Sequence, residues 1–213
     1  MDEINNCIDR GEMIAVDCEG VKLSRFGSIT MINIASRNQV YLIDVMKIGD
    51  TVYDQGLRSL LENNSINKLM FDCREDSDAL YHLHEVKLAG VLDIQLLEVW
   101  DRINRGGYTP IKSLKHCLEL YISDNTLLEM KLQGIQLMAS SDLIWKNRPL
   151  DEILLKYASI DVIALFELYD VLSGKTDVVR KCWKEASARY CDYQRSKNRT
   201  YRDGDGLLPP GII

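Results

Sequence analysis

Only three histidines occur in the sequence, at 82, 84 and 116. Six cysteines are scattered at 7, 18, 73, 117, 182 and 191, and no two form a Cys-x-x-Cys pair. A His/Cys zinc site needs closely spaced ligands, so this sparse set argues against one. Nor do the cysteines read as a disulfide framework. Reduced, mostly buried thiols in an intracellular protein, cytoplasmic or nuclear, are expected instead. No apolar run approaches the roughly 18 residues of a membrane span, so no membrane partner is expected. The opening residues Met1-Asp2-Glu3-Ile4-Asn5-Asn6 are acidic and polar, unlike a secretory signal. No Gly-x-Gly-x-x-Gly follows the first apolar run, which removes a dinucleotide-binding reading. Internal repeats and low-complexity segments are absent. A positive excess is lacking too: the formal net charge is −6, which taken alone disfavours a nucleic-acid partner.

What is present is an ordinary globular composition, 46% hydrophobic and 27% charged over 213 residues. That suits one domain with a real core. We read residues 1–213 as a single unit, with a motif-bearing core over about 10–172 and a basic helix and tail over about 174–213. Lys175, Arg180, Lys181, Lys184, Arg189, Arg195, Lys197, Arg199 and Arg202 crowd that last segment. Its charge is either a solvated face or a phosphate-contacting surface. Tyr190, Tyr193 and Tyr201 interleave with it, which favours base stacking.

Periodicity gives a first helix over the opening nine residues, then strands at 13–17, 28–35 and 40–45 in an antiparallel meander. A helix at 55–62, a strand at 66–71, a helix at 74–84, a strand at 91–93 and a helix at 95–103 follow. Beyond these lie a helix at 111–121, a loose segment near 125–148, a helix at 150–172 and the basic helix at 176–197. Strands first, then alternation, then helices predict an α/β layer fold with a mixed sheet.

Acids on apolar elements carry the functional signal. Asp17 and Glu19 end the first buried strand, two residues apart and so on one face. Asp161 falls in the middle of the stripe Leu150, Leu154, Ala158, Leu165, Leu168 and Leu172, with Tyr157 one turn earlier. Asp76 sits on the inward face of the helix with Ala79, Leu80 and Leu83, in a first turn where the dipole favours an acid. Each alone has a plain structural alternative: a solvated acid pair, a helix-start charge, a core tyrosine. Asp93, before a helix, reads as a cap. Together, inward-facing carboxylates need a cation, and oxygen-only ligands suit Mg²⁺ or Mn²⁺. Two such ions can activate water and stabilise the leaving oxygen of a phosphodiester.

Three segments resemble the motifs of the DEDDy 3′-5′ exonucleases, the group of ribonuclease D and the Werner exonuclease. They are Ile14-Ala15-Val16-Asp17-Cys18-Glu19-Gly20, Lys68 to Asp76, and Trp145-Lys146-Asn147-Arg148-Pro149-Leu150 with Tyr157-Ala158-Ser159-Ile160-Asp161. The run Asp72 to His82 is most similar to the exonuclease 3′-5′ domain-containing and Egalitarian-like subgroup. The resemblance implies a ribonuclease-H-like fold, a five-stranded mixed β-sheet flanked by α-helices. It implies two divalent metal ions, Mg²⁺ or Mn²⁺, on Asp17, Glu19, Asp76 and Asp161, with Tyr157 orienting the attacking water. Gly20, Val21, Asn33 and Arg148 would contact the nucleic acid. The expected partner is single-stranded nucleic acid, RNA ahead of DNA, shortened from its 3′ end to nucleoside 5′-monophosphates; a homodimer or protein partners stay open. Phe71 stands where many relatives have His, and Asn33 where many have Gln, which bears on substrate preference. The competing expectation is a nucleic-acid-binding adaptor that keeps the fold with little or no catalysis.

Overall fold

Unbroken apolar runs make strands that must be covered on both faces, and the fold supplies that cover. The computed structural model describes residues 2–107, 110–174, 180–199 and 207–213. Five strands, β1 (Ile14–Val21), β2 (Ser28–Ala35), β3 (Val40–Ile43), β4 (Lys68–Met70) and β5 (Val91–Asp93), form one sheet in the order β3-β2-β1-β4-β5. β1, β2 and β3 pair antiparallel, while β4 and β5 join parallel to β1. This is the mixed sheet expected from the sequence. β3 ends two residues early because Asp44 caps a short helix, accepting from Lys47 N.

The helices are α1 (Asp2–Asp9), α2 (Val45–Ile48), α3 (Arg58–Glu62), α4 (Arg74–His84), α5 (Ile94–Asn104), α6 (Leu114–Tyr121), α7 (Asn125–Met138), α8 (Glu152–Ser173) and α9 (Arg180–Arg195). A π-helical turn at Tyr53–Leu57 leads into α3, and a 3₁₀ turn at Ile144–Lys146 precedes α8. Asp93 caps α5 by accepting from Gln95 N, as anticipated. Asp151 caps α8, so that helix starts two residues later than the apolar stripe suggests. Among the described residues no helix is long and apolar enough to cross a membrane. The six cysteines are thiols outside any disulfide, and five of them are buried.

β1 runs on to Val21, four residues past its expected end, and two further elements depart more strongly from expectation. The segment read as loose contains α7, a regular helix of 14 residues. Its buried residues are Lys131 and Gly134, while Leu132 and Ile135 are exposed. Leu127, Leu128, Met130, Leu137 and Met138 are half-buried against the core, so the apolar residues fall on more than one side and periodicity gave no clear helix signal.

The basic C-terminal helix is the second departure. α9 packs into the core through Trp183, Ala186, Tyr190 and Cys191. Trp183 Nε1 donates to Asp93 O at 2.8 Å, and Tyr190 Oη donates to Gln95 Oε1 at 2.6 Å. Tyr190 is fully buried and so cannot stack on a base. Arg195 and Arg199 are spent internally, on Asp192 and Leu88 O and on Glu75. Lys175, the helix start at 176–179, Tyr201 and Arg202 lie outside the described residues.

A buried cation marks the base of the sheet. Lys68, which opens β4 beside Ile14, is fully buried. Its ammonium donates to Asn63 O at 2.8 Å and to Ile66 O and Ala89 O at 2.9 Å each.

Candidate metal centre

The candidate site lies at the other end of β1. Asp17 and Glu19 fall on the far half of that strand, both partly buried, and Asp17 is in register with Asn33 of β2. Asn33 Nδ2 donates to Asp17 Oδ2 at 3.3 Å. The pairing shifts between Glu19 and Gly20, a bulge that re-aims the strand end. Glycine is required there: a Cβ on Gly20 would come within 3.2 Å of Ile29 Cα and collide with the Ser28 carbonyl.

α8 crosses the strands and brings Asp161 and Tyr157, 7% and 9% exposed, to the same point. One carboxylate oxygen each from Asp17, Glu19 and Asp161 lie within 4.8 Å of one another. Asp76, at the start of α4, is outside this trio. Its Oδ1 accepts from Cys18 N at 3.0 Å, which ties α4 to β1 between the two strand acids.

Crowding shows in the proton affinities. Burial, then the charges of Asp76 and Asp161, push the Asp17 carboxyl well above the usual range. Burial, then Asp17 and Asp161, do the same to Glu19. Burial raises Asp76 to about 7. Asp161 is also raised by burial, against the pull of Lys131. The Tyr157 hydroxyl is raised by burial and by Asp161, Glu19 and Asp17, so it stays protonated and can donate. A crowded, partly buried group of oxygen-only ligands that repel one another fits a hard divalent cation.

Sequence reasoning missed Lys131. Its Nζ lies 2.5 Å from Asp161 Oδ1 and 3.1 Å from Tyr157 Oη, with the side chain 5% exposed. It also sits 4.2 Å from the centre of the Tyr157 ring. Gly134, one turn on, lets the ring lie against α7; a Cβ there would come within 2.6 Å of Tyr157 Cγ. The available signal was a Lys and a Gly at helical spacing, Lys131 and Gly134, in a segment of mixed polarity.

The residues expected along a nucleic-acid path divide. Gly20 keeps partial exposure. Val21 is buried with Met31, Trp145, Leu154 and Tyr157. Asn33 is fully buried behind Asp17, so its contact is with the acid. Arg148 is clamped to Asp44, its Nε and Nη2 at 2.6 and 2.7 Å from the carboxylate. It pins the turn before α8 to the end of β3.

Comparison with known proteins places these features. The 3′-5′ exonuclease family model matches residues 1–177. The piRNA biogenesis protein EXD1 of Xenopus laevis is 32% identical over 164 residues, 74% of this chain and 36% of that protein. The chain spans about a third of the length of the curated EXD1 relatives it matches. Trypanosoma brucei RNase D in complex with GMP superposes with a TM-score of 0.76 at 25% identity, covering 91% of this chain and 61% of that one. The same enzyme with RNA U12 gives 0.79 at 23% identity over 99% and 74%, a likeness of fold.

Proposed function

Because this chain belongs to the 3′-5′ exonuclease family, we propose that it hydrolyses single-stranded RNA or DNA, RNA ahead of DNA, from the 3′ end, releasing nucleoside 5′-monophosphates. One observation carries the reading. Carboxylates from β1 and α8, far apart in sequence, bring oxygens within 4.8 Å of one another, a crowding of like charge that a divalent ion would relieve. The RNA and the nucleotide bound by the trypanosomal RNase D support a nucleic-acid substrate of the same kind.

Asp17, Glu19 and Asp161, with Asp76 beside them, would hold two divalent ions, Mg²⁺ or Mn²⁺. Bound there, such ions supply an activated water and charge stabilisation at the leaving oxygen. Tyr157, kept protonated, donates its hydroxyl to orient the attacking water. Asn33 fixes the Asp17 carboxylate from behind, and Asp76 braces β1 through Cys18 N. Arg148 shapes the path by anchoring the turn before α8 rather than by touching phosphate.

A second reading, a nucleic-acid-binding adaptor with little catalysis, is favoured by one observation: the Lys131 ammonium already rests on Asp161. A 5′-labelled strand separates the two. We expect stepwise shortening of RNA with Mn²⁺ or Mg²⁺ and none with EDTA. A strand that is retained in a gel shift and never shortened would establish the adaptor.

A further inference from the structure

α7 does more than pack. Its inward face holds a lysine and a glycine, while Leu132 and Ile135 face outward. Leu127, Leu128, Met130, Leu137 and Met138, half-buried against the apolar clusters, dock the helix on either side of that pair. At its most buried point the helix presents the Lys131 ammonium, which reaches Asp161 Oδ1 at 2.5 Å and Tyr157 Oη at 3.1 Å, over the face of the Tyr157 ring. Gly134 removes the side chain that would keep that ring away.

Lys131 is also the positive charge whose field acts on Asp17 and Glu19. One ammonium cannot neutralise four acids, but it relieves the trio in part. We propose that Lys131 is a built-in counter-cation of the acid cluster, which a divalent ion must displace from Asp161, so that α7 sets the metal affinity of the site. This rests on the reading that the cluster takes divalent ions. Two such ions would match the four carboxylates in charge. A retained ammonium would then be an unmatched positive charge in a dry site, repelled by the metals beside it. Displacement also frees the Tyr157 hydroxyl from the lysine, leaving it to orient water. Metal loading and the release of the tyrosine become one event.

The test is Mn²⁺ titration calorimetry on the full chain, as wild type, Lys131→Met and Lys131→Arg, with circular dichroism to verify folding. Met keeps most of the stem and removes the charge; Arg keeps the charge. The Met variant should bind Mn²⁺ about tenfold or more tightly than wild type, and the Arg variant should not. Equal affinity in wild type and Met, or weaker binding in Met, overturns the proposal and leaves the nuclease reading intact. No binding by any of the three overturns both. If the Met variant does not fold, the wild type still decides: the Lys131 side-chain ammonium NMR signal should move on saturation with Mg²⁺, and an unmoved signal in a chain that binds Mg²⁺ rules the displacement out.

Discussion

Two lysines are buried at opposite ends of the same sheet, and their surroundings differ in kind. Lys68, at the base, is held by three backbone carbonyls and, among the described residues, by no carboxylate. Lys131, at the far end, is held by an acid and a phenol. Neutral dipoles offer a divalent ion little, so nothing competes for the Lys68 cage. A carboxylate in a group of carboxylates is a ligand set in its own right. The first cation closes a strand end and a loop; the second stands where chemistry would have to happen. A buried charge is therefore informative through what holds it rather than through its burial.

Variants at the acid end should act on rate, and variants at the base on stability. The largest expected effect is from Asp17→Asn or Asp161→Asn, which should cut strand shortening about a thousandfold while the chain stays folded. Continued degradation by either protein would dissolve the functional contrast between the two ends. Tyr157→Phe comes next: a loss of about a hundredfold in rate with Mn²⁺ binding retained, because only the water-orienting hydroxyl is removed. An unchanged rate would take Tyr157 out of the mechanism.

Gly134→Ala tests whether the ring position matters. Overpacking costs about 1–3 kcal/mol, and the gain in helix propensity returns about 1 kcal/mol. The melting temperature should therefore fall little, while displacement of the Tyr157 ring slows turnover about tenfold. Full activity with lowered stability would make the contact purely structural.

The smallest effect on rate is expected from Lys68→Met, which should leave activity per folded molecule unchanged and cost about 1–3 kcal/mol in urea unfolding, from three carbonyls left without a donor. Its pH dependence follows from burial, which lowers the Lys68 ammonium from 10.5 to about 7. A depressed folded value means the unfolded chain holds the proton more tightly. The stability Lys68 contributes is thus present above about 10.5 and lost as pH falls through about 7. The gap between wild type and variant should widen from about pH 6 to about pH 9.5. A gap that is flat or narrows over that range would refute this account of the cage.

The parts of the fold legible in the sequence are those where burial and period agree. β1 and β2 read as apolar runs, and α4 and α8 show their acids because Asp76 and Asp161 interrupt otherwise apolar faces. Asp93 announced its cap by its place between a strand and a helix. α7 was not legible because its two buried positions are a lysine and a glycine while Leu132 and Ile135 face outward, and Lys131 was hidden with it. The fate of α9 was not legible either. Arg195 and Arg199 look like a binding surface until their partners, Asp192, Leu88 and Glu75, are known, and those last two lie over a hundred residues away.

The recognisable family pattern stops at residue 177, yet α9 lies beyond it and shares the core cluster that contains β1 and β5. Ser187 Oγ accepts from Asp93 N, and Trp183 donates to the Asp93 carbonyl, so this later helix ties off both backbone groups of the residue that starts α5. A gene trimmed at the last matched codon would strip those two partners and open the seat of Tyr190 to water. Expression of such a fragment would be expected to give aggregates, and an assay run on it would say nothing about the acids it was meant to test.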